Sequence, residues 1–320
     1  MIKGDKGIIS NHLNDDQKTK IMSLSGVKQF PMRVKCATLS WHTLISAMDK
    51  KQKAVNDLNK VGIESAFSLE ELITKLDKPR VLWLMLPSGD PTEQTINLLS
   101  NDLESGDTII DGGNSNYKDS IRRSSNLANI GISFLDVGTS GGIWGVSEGY
   151  SLMVGGDINV FRSVEPILKT LAPDETKGYG HVGPSGSGHF VKMIHNGIEY
   201  GIMQAYAEGF ELLNAKSDFN IDLFKVADIW RFGSVIRSWL LDLIASALKD
   251  DADLNNFSSY VDDSGEGRWT LEESINLDVP IPVIALALQA RFRSRQENPF
   301  GLKLISAMRN QFGGHISKSI

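Results

Sequence analysis

Residues 81–89, VLWLMLPSG, form a continuous apolar run that ends in the turn-forming residues Pro, Ser and Gly. A run of this length and composition is typical of a strand that is buried on both faces, as in a parallel sheet covered by helices. The stretches TIIDGGNS (108–115) and ISFLDVGTSGG (132–142) have the same form, because each passes directly into small polar residues. Three such stretches separated by helical patterns predict βαβ units in the first half of the chain.

The sequence changes character after HVGPSGSGHF at residues 181–190. Apolar residues then recur every three or four positions, which favours helices. The segments with this pattern are 193–215, 224–248 and 280–296. We therefore predict an α/β Rossmann-type N-terminal domain with a parallel sheet, followed by an all-α C-terminal domain. The predicted parts are an atypical extension over 1–20, a Rossmann-like dinucleotide-binding domain over 21–178, and a helical substrate and dimerisation domain over 179–320.

Composition and charge exclude several classes of function. A formal net charge of -6 over 320 residues argues against a nucleic-acid partner, which requires clustered Lys and Arg. The single cysteine, Cys36, cannot form an internal disulfide or a thiolate metal site. No apolar run reaches the roughly 18 residues of a membrane span, and the polar start lacks the apolar core of a signal peptide. We expect a cytoplasmic protein without a membrane partner.

The stretch HFVKMIHNGIEYG, residues 189–201, places ionisable side chains in a run that otherwise has the pattern of a buried helix. On a helix, Lys192, His195, Asn196 and Glu199 share one face, opposite a row of apolar residues. Lys192 and Glu199 are then roughly 10 Å apart along the axis, which leaves room for a small substrate. Partial burial favours the neutral amine of a lysine, so these two groups could act as base and acid.

A solvated polar face is the simpler interpretation of that spacing taken alone. The segment PSGSG, residues 184–188, favours a binding site instead, because it removes side chains where the helix begins. The glycine-rich ends of the three predicted strands point the same way, since ligands of open α/β sheets bind at the carboxyl ends of the strands.

Four motifs in this order resemble the decarboxylating 6-phosphogluconate dehydrogenases, within the β-hydroxyacid dehydrogenase superfamily. The motifs are DGGNS (111–115), SGGIWG (140–145), GHFVKMIHNGIEYG (188–201) and FGGH (312–315). The chain length resembles the short, mostly bacterial form, and the likeness covers roughly residues 42–320. The resemblance implies oxidation of 6-phosphogluconate by NAD or NADP, with release of ribulose 5-phosphate and carbon dioxide, as in gluconate utilisation and the pentose phosphate pathway.

The resemblance also implies roles for individual residues. Lys192 would be the general base that accepts the C3 hydroxyl proton, and Glu199 would protonate C1 of the enediol. The residues that would hold the carboxylate and hydroxyls of the sugar acid are Asn114, Ser140, Gly141, Gly142, His195 and Asn196. Tyr200 and Arg291 would hold its phosphate. No metal is implied, because the carbonyl formed in the first step serves as the electron sink.

The C-terminal tail carries an arginine and a histidine six residues apart, Arg309 and His315. In the long enzymes of this family, such a pair closes the active site of the partner subunit. The resemblance therefore implies a homodimer or homotetramer with shared active sites.

The predicted cofactor site combines two strand-end loops with an incomplete glycine fingerprint. Its members are Leu86, Pro87, Ser88 and Asn114 in the loops, Gly26 as the first fingerprint glycine, and Asp49 at the end of the second strand. Lys28 and Pro31 stand where the next two glycines belong. Asp49 favours NAD, because a carboxylate accepts a hydrogen bond from the ribose 2′-hydroxyl and repels a 2′-phosphate.

Residues 27–41 lose the family pattern abruptly, with normal pattern on both sides. We hypothesise that this segment arises from a local reading-frame error or a decayed gene segment. Resequencing of the coding DNA tests this idea, which fails if no single-base shift restores a glycine-rich motif.

Two alternative functions stay open on the sequence. A non-decarboxylating β-hydroxyacid dehydrogenase would share the SGG and lysine motifs, and an inactive homologue would keep the sugar-phosphate pocket without binding a dinucleotide. The phosphate site also departs from the long enzymes. In DDSGEGRWT, Ser264 and Glu266 replace a lysine and a threonine, although Arg268 is nearby.

Overall fold

The computed structural model describes residues 64–313 of the chain. The predictions for Gly26, Asp49, His315 and the segments 1–20 and 27–41 lie outside these residues. Contacts divide the chain into two compact units, and the boundary in the sequence falls between Ile194 and His195. Within residues 64–313, none of the helices is long and apolar enough to cross a membrane.

Between residue 64 and the end of the first unit, the structure shows five strands and the helices that cover them. In chain order they are α1 (Leu69–Lys75), β1 (Val81–Leu84), α2 (Asp90–Leu99), β2 (Thr108–Asp111), α3 (Tyr117–Ala128), β3 (Ser133–Ser140), a 3-10 turn (Gly142–Trp144), α4 (Gly145–Glu148), β4 (Ser151–Gly156), α5 (Ile158–Leu171) and β5 (Tyr179–Gly183). The long helix α6 (Ser187–Ala215) begins in this unit and continues into the second.

The three strands predicted from the sequence are present and pair in parallel, in the order β1-β2-β3. Their residues alternate between two buried clusters, one on each face of the sheet. Leu82, Ile109 and Phe134 belong to the cluster that includes residues of α1, α2 and α3. Trp83 and Ile110 pack on the opposite face, in the cluster that includes residues of α5. Coverage of both faces explains the continuous apolar runs of these strands.

The fourth strand departs from the predicted parallel sheet, because β4 pairs with β3 in the antiparallel sense. The connection between them covers only residues 141–150. A parallel return requires a crossover of a dozen or more residues, so this short connection reverses the chain. The strand β5 follows helix α5 and pairs with β4 in parallel.

The second unit is helical, as predicted. After α6 it contains a 3-10 turn (Ser217–Phe219), α7 (Leu223–Trp230), α8 (Trp239–Asp250), α9 (Glu266–Asn276), α10 (Pro282–Ser294) and α11 (Phe300–Gly313). The prediction of one continuous helical segment over 224–248 is wrong, because these residues form two helices. Gly233 has a φ of 78° between them, and Ser238 caps the second by accepting the N–H of Leu241.

Candidate active site

The loop after β2 is shaped by the fully buried carboxylate of Asp111. This side chain accepts the N–H of Gly113 at 3.0 Å and the hydroxyl of Ser115 at 2.7 Å. It also accepts a hydrogen bond from Arg123 at 3.2 Å, and Arg123 in turn donates to Glu93. The DGGNS motif is therefore held in one conformation by a buried ion pair.

Asn114 joins this loop to the end of β3. Its φ of 55° lies in the left-handed region, where asparagine is among the better tolerated residues. Its side-chain Nδ2 donates to the carbonyl of Thr139 at 3.1 Å, and its Oδ1 accepts the N–H of Thr139 at 2.9 Å. The amide keeps a second N–H and a second lone pair for a ligand. Asn114 is thus bound to Thr139, the residue that precedes Ser140.

The loop after β1 contacts the DGGNS loop directly. Leu86 is buried, whereas Pro87 is exposed and Ser88 is partly exposed. A Cβ on Gly113 would lie 2.2 Å from the carbonyl oxygen of Leu86, so only glycine allows this approach. The predicted cofactor residues of the first unit that the structure describes therefore lie in two adjoining loops at the carboxyl edge of the sheet.

Ser140 ends β3, and the next residues turn sharply toward β4. Gly141 and Gly142 have φ values of 140° and 51°, which L-residues with side chains rarely adopt. The 3-10 turn that follows leaves Trp144 about half exposed. The SGG motif consequently presents backbone and a hydroxyl, with little side-chain bulk, at the end of the strand.

Lys192 is buried on helix α6, with 5% of its surface exposed. A Cβ on Gly138 of β3 would lie 2.4 Å from the Cβ of Lys192, which shows how closely this lysine packs against the sheet. The stem of Lys192 is therefore largely removed from solvent by the strand against which it packs.

The other polar residues of the motif follow on the same helix. The ring Nδ1 of His195 lies 2.9 Å from Oδ1 of Asn196 and 3.9 Å from the carboxylate of Glu199. All three side chains are partly exposed. The prediction that the opposite face is buried is wrong, since Val191, Ile198 and Ile202 are exposed.

Tyr200 and Arg291 form a stacked pair in the second unit. The guanidinium carbon of Arg291 lies 3.6 Å from the centre of the buried Tyr200 ring, and Nη1 donates to the carbonyl of Asp262 at 2.7 Å. The hydroxyl of Tyr200 lies 3.1 Å from Oγ of Ser264 and accepts the N–H of Ser264. These contacts bring together a cation and two hydroxyl groups, which can bind a phosphate.

Two further arginines lie close to this pair, both bound to Asp263. Arg268 and Arg295 donate to its carboxylate at 2.9 and 2.8 Å. The hydrogen bond from Arg268, supported by Arg295, lowers the pKa of Asp263 to about 2. Glu266 lies three residues after Asp263 in the sequence and is buried. Its Oε2 has no hydrogen-bond partner among residues 64–313.

Arg309 lies exposed on α11 and is the one described member of the predicted tail pair. Sequence reasoning missed Asp136 and Asp263, two carboxylates that position site elements. Asp136 could have been noticed, because it lies four residues before Ser140 and therefore on the same face of a strand. Asp263 has no such signal, since its partners Arg268 and Arg295 lie 5 and 32 residues away and share no strand or helix with it.

Comparison with family models covers nearly the whole described chain. Residues 31–183 match the NAD binding domain of 6-phosphogluconate dehydrogenase. Residues 188–219 and 205–320 match the 6-phosphogluconate dehydrogenase C-terminal domain. Gly26, the predicted first fingerprint glycine, precedes the matched residues.

Named relatives agree with the family models. A Bacillus subtilis (strain 168) protein named as a candidate 6-phosphogluconate dehydrogenase, YqeC, is 46% identical over 84% of this chain and 90% of its own length. The NAD(+)-dependent, decarboxylating 6-phosphogluconate dehydrogenase of Haloferax volcanii is 41% identical over 85% of this chain and 89% of its own.

A solved structure provides the same assignment. The Plasmodium falciparum 6-phosphogluconate dehydrogenase, described in apo form and with NADP+ and 6-phosphogluconate, superposes with a TM-score of 0.73 at 27% identity. The match covers 92% of this chain and 62% of that one. By sequence and fold together, the chain belongs to the 6-phosphogluconate dehydrogenase family.

Proposed function

We propose that this protein oxidises and decarboxylates 6-phosphogluconate to ribulose 5-phosphate and carbon dioxide, with reduction of a nicotinamide cofactor. The observation that carries the proposal is a buried lysine, Lys192, seven residues before Glu199 on the single helix α6, in a chain of this family. The Haloferax relative is named for its action on this substrate, and the solved neighbour is described in complex with it.

The described loops fit a dinucleotide cofactor. The loops after β1 and β2 bring small residues and accessible backbone to the carboxyl ends of parallel strands, where dinucleotides bind. Leu86, Pro87, Ser88 and Asn114 would hold the cofactor there, and a bound nicotinamide supplies the hydride acceptor. Asp49 and the name of the Haloferax relative favour NAD.

Lys192 would act in the first two steps. Its neutral amine takes the proton of the C3 hydroxyl while hydride leaves C3, which produces a ketone. When the C1–C2 bond breaks, carbon dioxide leaves and the electron pair forms a C2=C3 double bond. The ammonium of Lys192 returns its proton to the C3 oxygen, so no metal is needed to stabilise negative charge there.

Glu199 would complete the reaction. The enediol carries its reactive carbon at C2 of the substrate, which becomes C1 of ribulose 5-phosphate. A protonated Glu199 donates to this carbon while Lys192 takes back the hydroxyl proton, which restores the ketone. At the end Lys192 is protonated and Glu199 is ionised. Proton exchange with solvent returns both groups to their starting states. Ser140, Gly141, Gly142, His195 and Asn196 would orient the carboxylate and hydroxyls during these steps.

Incubation with 6-phosphogluconate and either NAD or NADP tests the activity. We expect reduced cofactor and carbon dioxide in equal amounts, with faster turnover on NAD. Reduced cofactor without carbon dioxide would indicate a non-decarboxylating dehydrogenase, and neither product would indicate an inactive homologue. Equal rates with the two cofactors would show that Asp49 does not discriminate.

Two variants separate the roles of base and acid. Lys192→Met should abolish cofactor reduction, because no other group takes the C3 hydroxyl proton. Glu199→Gln should still reduce cofactor in a first turnover but should slow incorporation of solvent deuterium at C1 of the product. Glu208→Gln, an exposed carboxylate on the same helix, is the matched control and should behave as wild type. Full activity of Lys192→Met would refute the mechanism.

We also propose that the protein is a homo-oligomer with shared active sites. The exposed apolar residues of α6 form one part of the surface that a second copy would cover. Helix α11 forms another, since Phe300, Leu302, Leu304, Ile305 and Met308 are all about half exposed or more. Apolar surface on this scale is typical of subunit interfaces. Arg309 lies on α11 and would enter the site of the partner with His315.

A further inference from the structure

We infer that Asp136 is a positioning residue for the reaction, because it seats the first turn of helix α6 on β3 and so fixes where Lys192 lies. The inference rests on the role of Lys192 proposed above.

Both oxygens of Asp136 bind the start of this helix. Oδ1 accepts the N–H of Gly186 at 2.6 Å, and Oδ2 accepts the N–H of His189 at 2.9 Å. Amides in the first turn of a helix have no partner within the helix, so a carboxylate satisfies them and also interacts favourably with the helix dipole. Asp136 is fully buried, which makes these bonds costly to lose.

The helix and the strand meet without side chains between them. A Cβ on Gly188 would lie 2.3 Å from the carbonyl oxygen of Asp136 and 2.5 Å from that of Met153. A Cβ on Gly138 would lie 2.4 Å from Cβ of Lys192 and 2.7 Å from the carbonyl oxygen of Gly188. Because backbone touches backbone at these points, a shift of the helix start moves Lys192 by a similar amount.

Asp136, Gly138 and Ser140 occupy alternate positions on β3 and therefore share one face. The first seats the helix, the second contacts Lys192, and the third begins the SGG motif. One strand thus sets the distance between the proposed base and the proposed carboxylate-binding loop. An error of about 1 Å in such a distance can reduce a rate by two orders of magnitude.

Asp136→Asn tests the hydrogen bonds with little change in volume. Asparagine offers one carbonyl oxygen, and its NH2 group would face an amide N–H that needs an acceptor. We expect kcat with 6-phosphogluconate to fall about tenfold or more, while KM changes less than about threefold. The amides of Gly186 and His189 should also exchange with solvent faster than in wild type, a readout that does not depend on catalysis.

Gly138→Ala tests the steric contact independently. The new methyl group would press on Lys192 and on the carbonyl of Gly188, so kcat should fall although the Asp136 carboxylate itself is unchanged. Gly180→Ala is the matched control, because a Cβ on Gly180, in strand β5 of the same sheet, would meet no atom within 4 Å and the φ of this residue is ordinary. It should keep the wild-type kcat and KM.

The outcomes separate this inference from the proposed function. Folded Asp136→Asn with wild-type kcat and protected amides would overturn the positioning role. If that variant does not fold, Gly138→Ala decides, and a folded Gly138→Ala protein with wild-type kcat overturns the inference. Full activity of Lys192→Met would instead remove the base role, and amide exchange in Asp136→Asn would still show whether the carboxylate holds the helix start.

Discussion

At the scale of single residues, contacts within the protein hold the proposed phosphate site in place. Arg291 stacks on Tyr200 and donates to a backbone carbonyl. A guanidinium held in this way loses little conformational freedom when it binds an anion, so more of the interaction energy contributes to affinity.

Loss of Arg291 should therefore weaken substrate binding more than it slows chemistry. For Arg291→Ala we expect KM for 6-phosphogluconate to rise about ten- to a hundredfold, the cost of one charge-assisted hydrogen bond. Arg293→Ala, on the same helix but exposed, is the control and should leave KM unchanged. Steady-state kinetics distinguish the two, and equal effects would remove Arg291 from the phosphate site.

The pair of arginines around Asp263 gives a pH-dependent contribution to stability. Since the folded-state pKa of Asp263 is about 2, below its usual 3.8, the carboxylate stabilises the fold above about pH 4 and loses this effect as pH falls to about 2. Asp263→Asn should lower the free energy of unfolding at pH 7 by about 1–2 kcal/mol, with a smaller difference at pH 3. Urea titrations at both pH values measure this, with the exposed Asp253→Asn as control. A deficit that is equal at the two pH values would contradict it.

The sequence offered candidates for the chemistry more readily than the residues that hold those candidates in place. Lys192 and Glu199 share one helix, so a fixed spacing suggested them as base and acid, and these roles stay predictions. Tyr200 was proposed from the family motif. Arg291 depended on the family motif, because its contact with Tyr200 joins residues 91 positions apart. Tertiary contacts of this kind leave no periodic pattern in the chain.

At the scale of elements, helix α6 carries most of the residues proposed for the reaction. The sequence predicted a helix that begins at the glycine-rich segment 184–188 and continues to residue 215, and in the structure it runs from Ser187 to Ala215. Glycine is unfavourable in helices, so propensity alone argues against this first turn. Asp136 and the close contact with β3 stabilise it, and neither is visible in a local window of sequence.

Two glycines in α6 should respond oppositely to the same change. Gly197→Ala would place a Cβ 2.9 Å from Thr270, so we expect a loss of about 1–3 kcal/mol in unfolding free energy. Gly209→Ala meets nothing within 4 Å and should gain about 0.5–1 kcal/mol from helix propensity. Chemical denaturation of both variants measures the difference, and stabilisation by Gly197→Ala would show that α9 packs less closely against α6 than described.

At the scale of the whole molecule, the family, the Rossmann-type unit and the helical second half are confirmed by the comparisons and the structure. The direction of β4 and the break between α7 and α8 were not predicted. Strand direction depends on the length of a connection more than on the pattern of the strand itself. The boundary near residue 178 stays a prediction, since it concerns which residues serve the cofactor and which the substrate.

A shared active site predicts complementation between inactive subunits. Lys192→Met and Arg309→Ala should each have low activity alone. When the two are co-expressed, a mixed oligomer contains a site with an intact lysine, closed by an intact tail from the other subunit, so activity should partly return. Activity no greater than the sum of the separate variants would place Arg309 outside the partner's site, and light scattering would show whether an oligomer forms at all.

The half-exposed indole of Trp144 follows Gly142 by two residues, within the turn at the end of β3. Tryptophan emission depends on the polarity around the ring, so this residue gives the protein an intrinsic optical reporter beside the proposed carboxylate loop. Titration with 6-phosphogluconate in the absence of cofactor should change the emission spectrum, and Trp144→Phe should remove that change. Ligand affinity could then be measured separately from turnover.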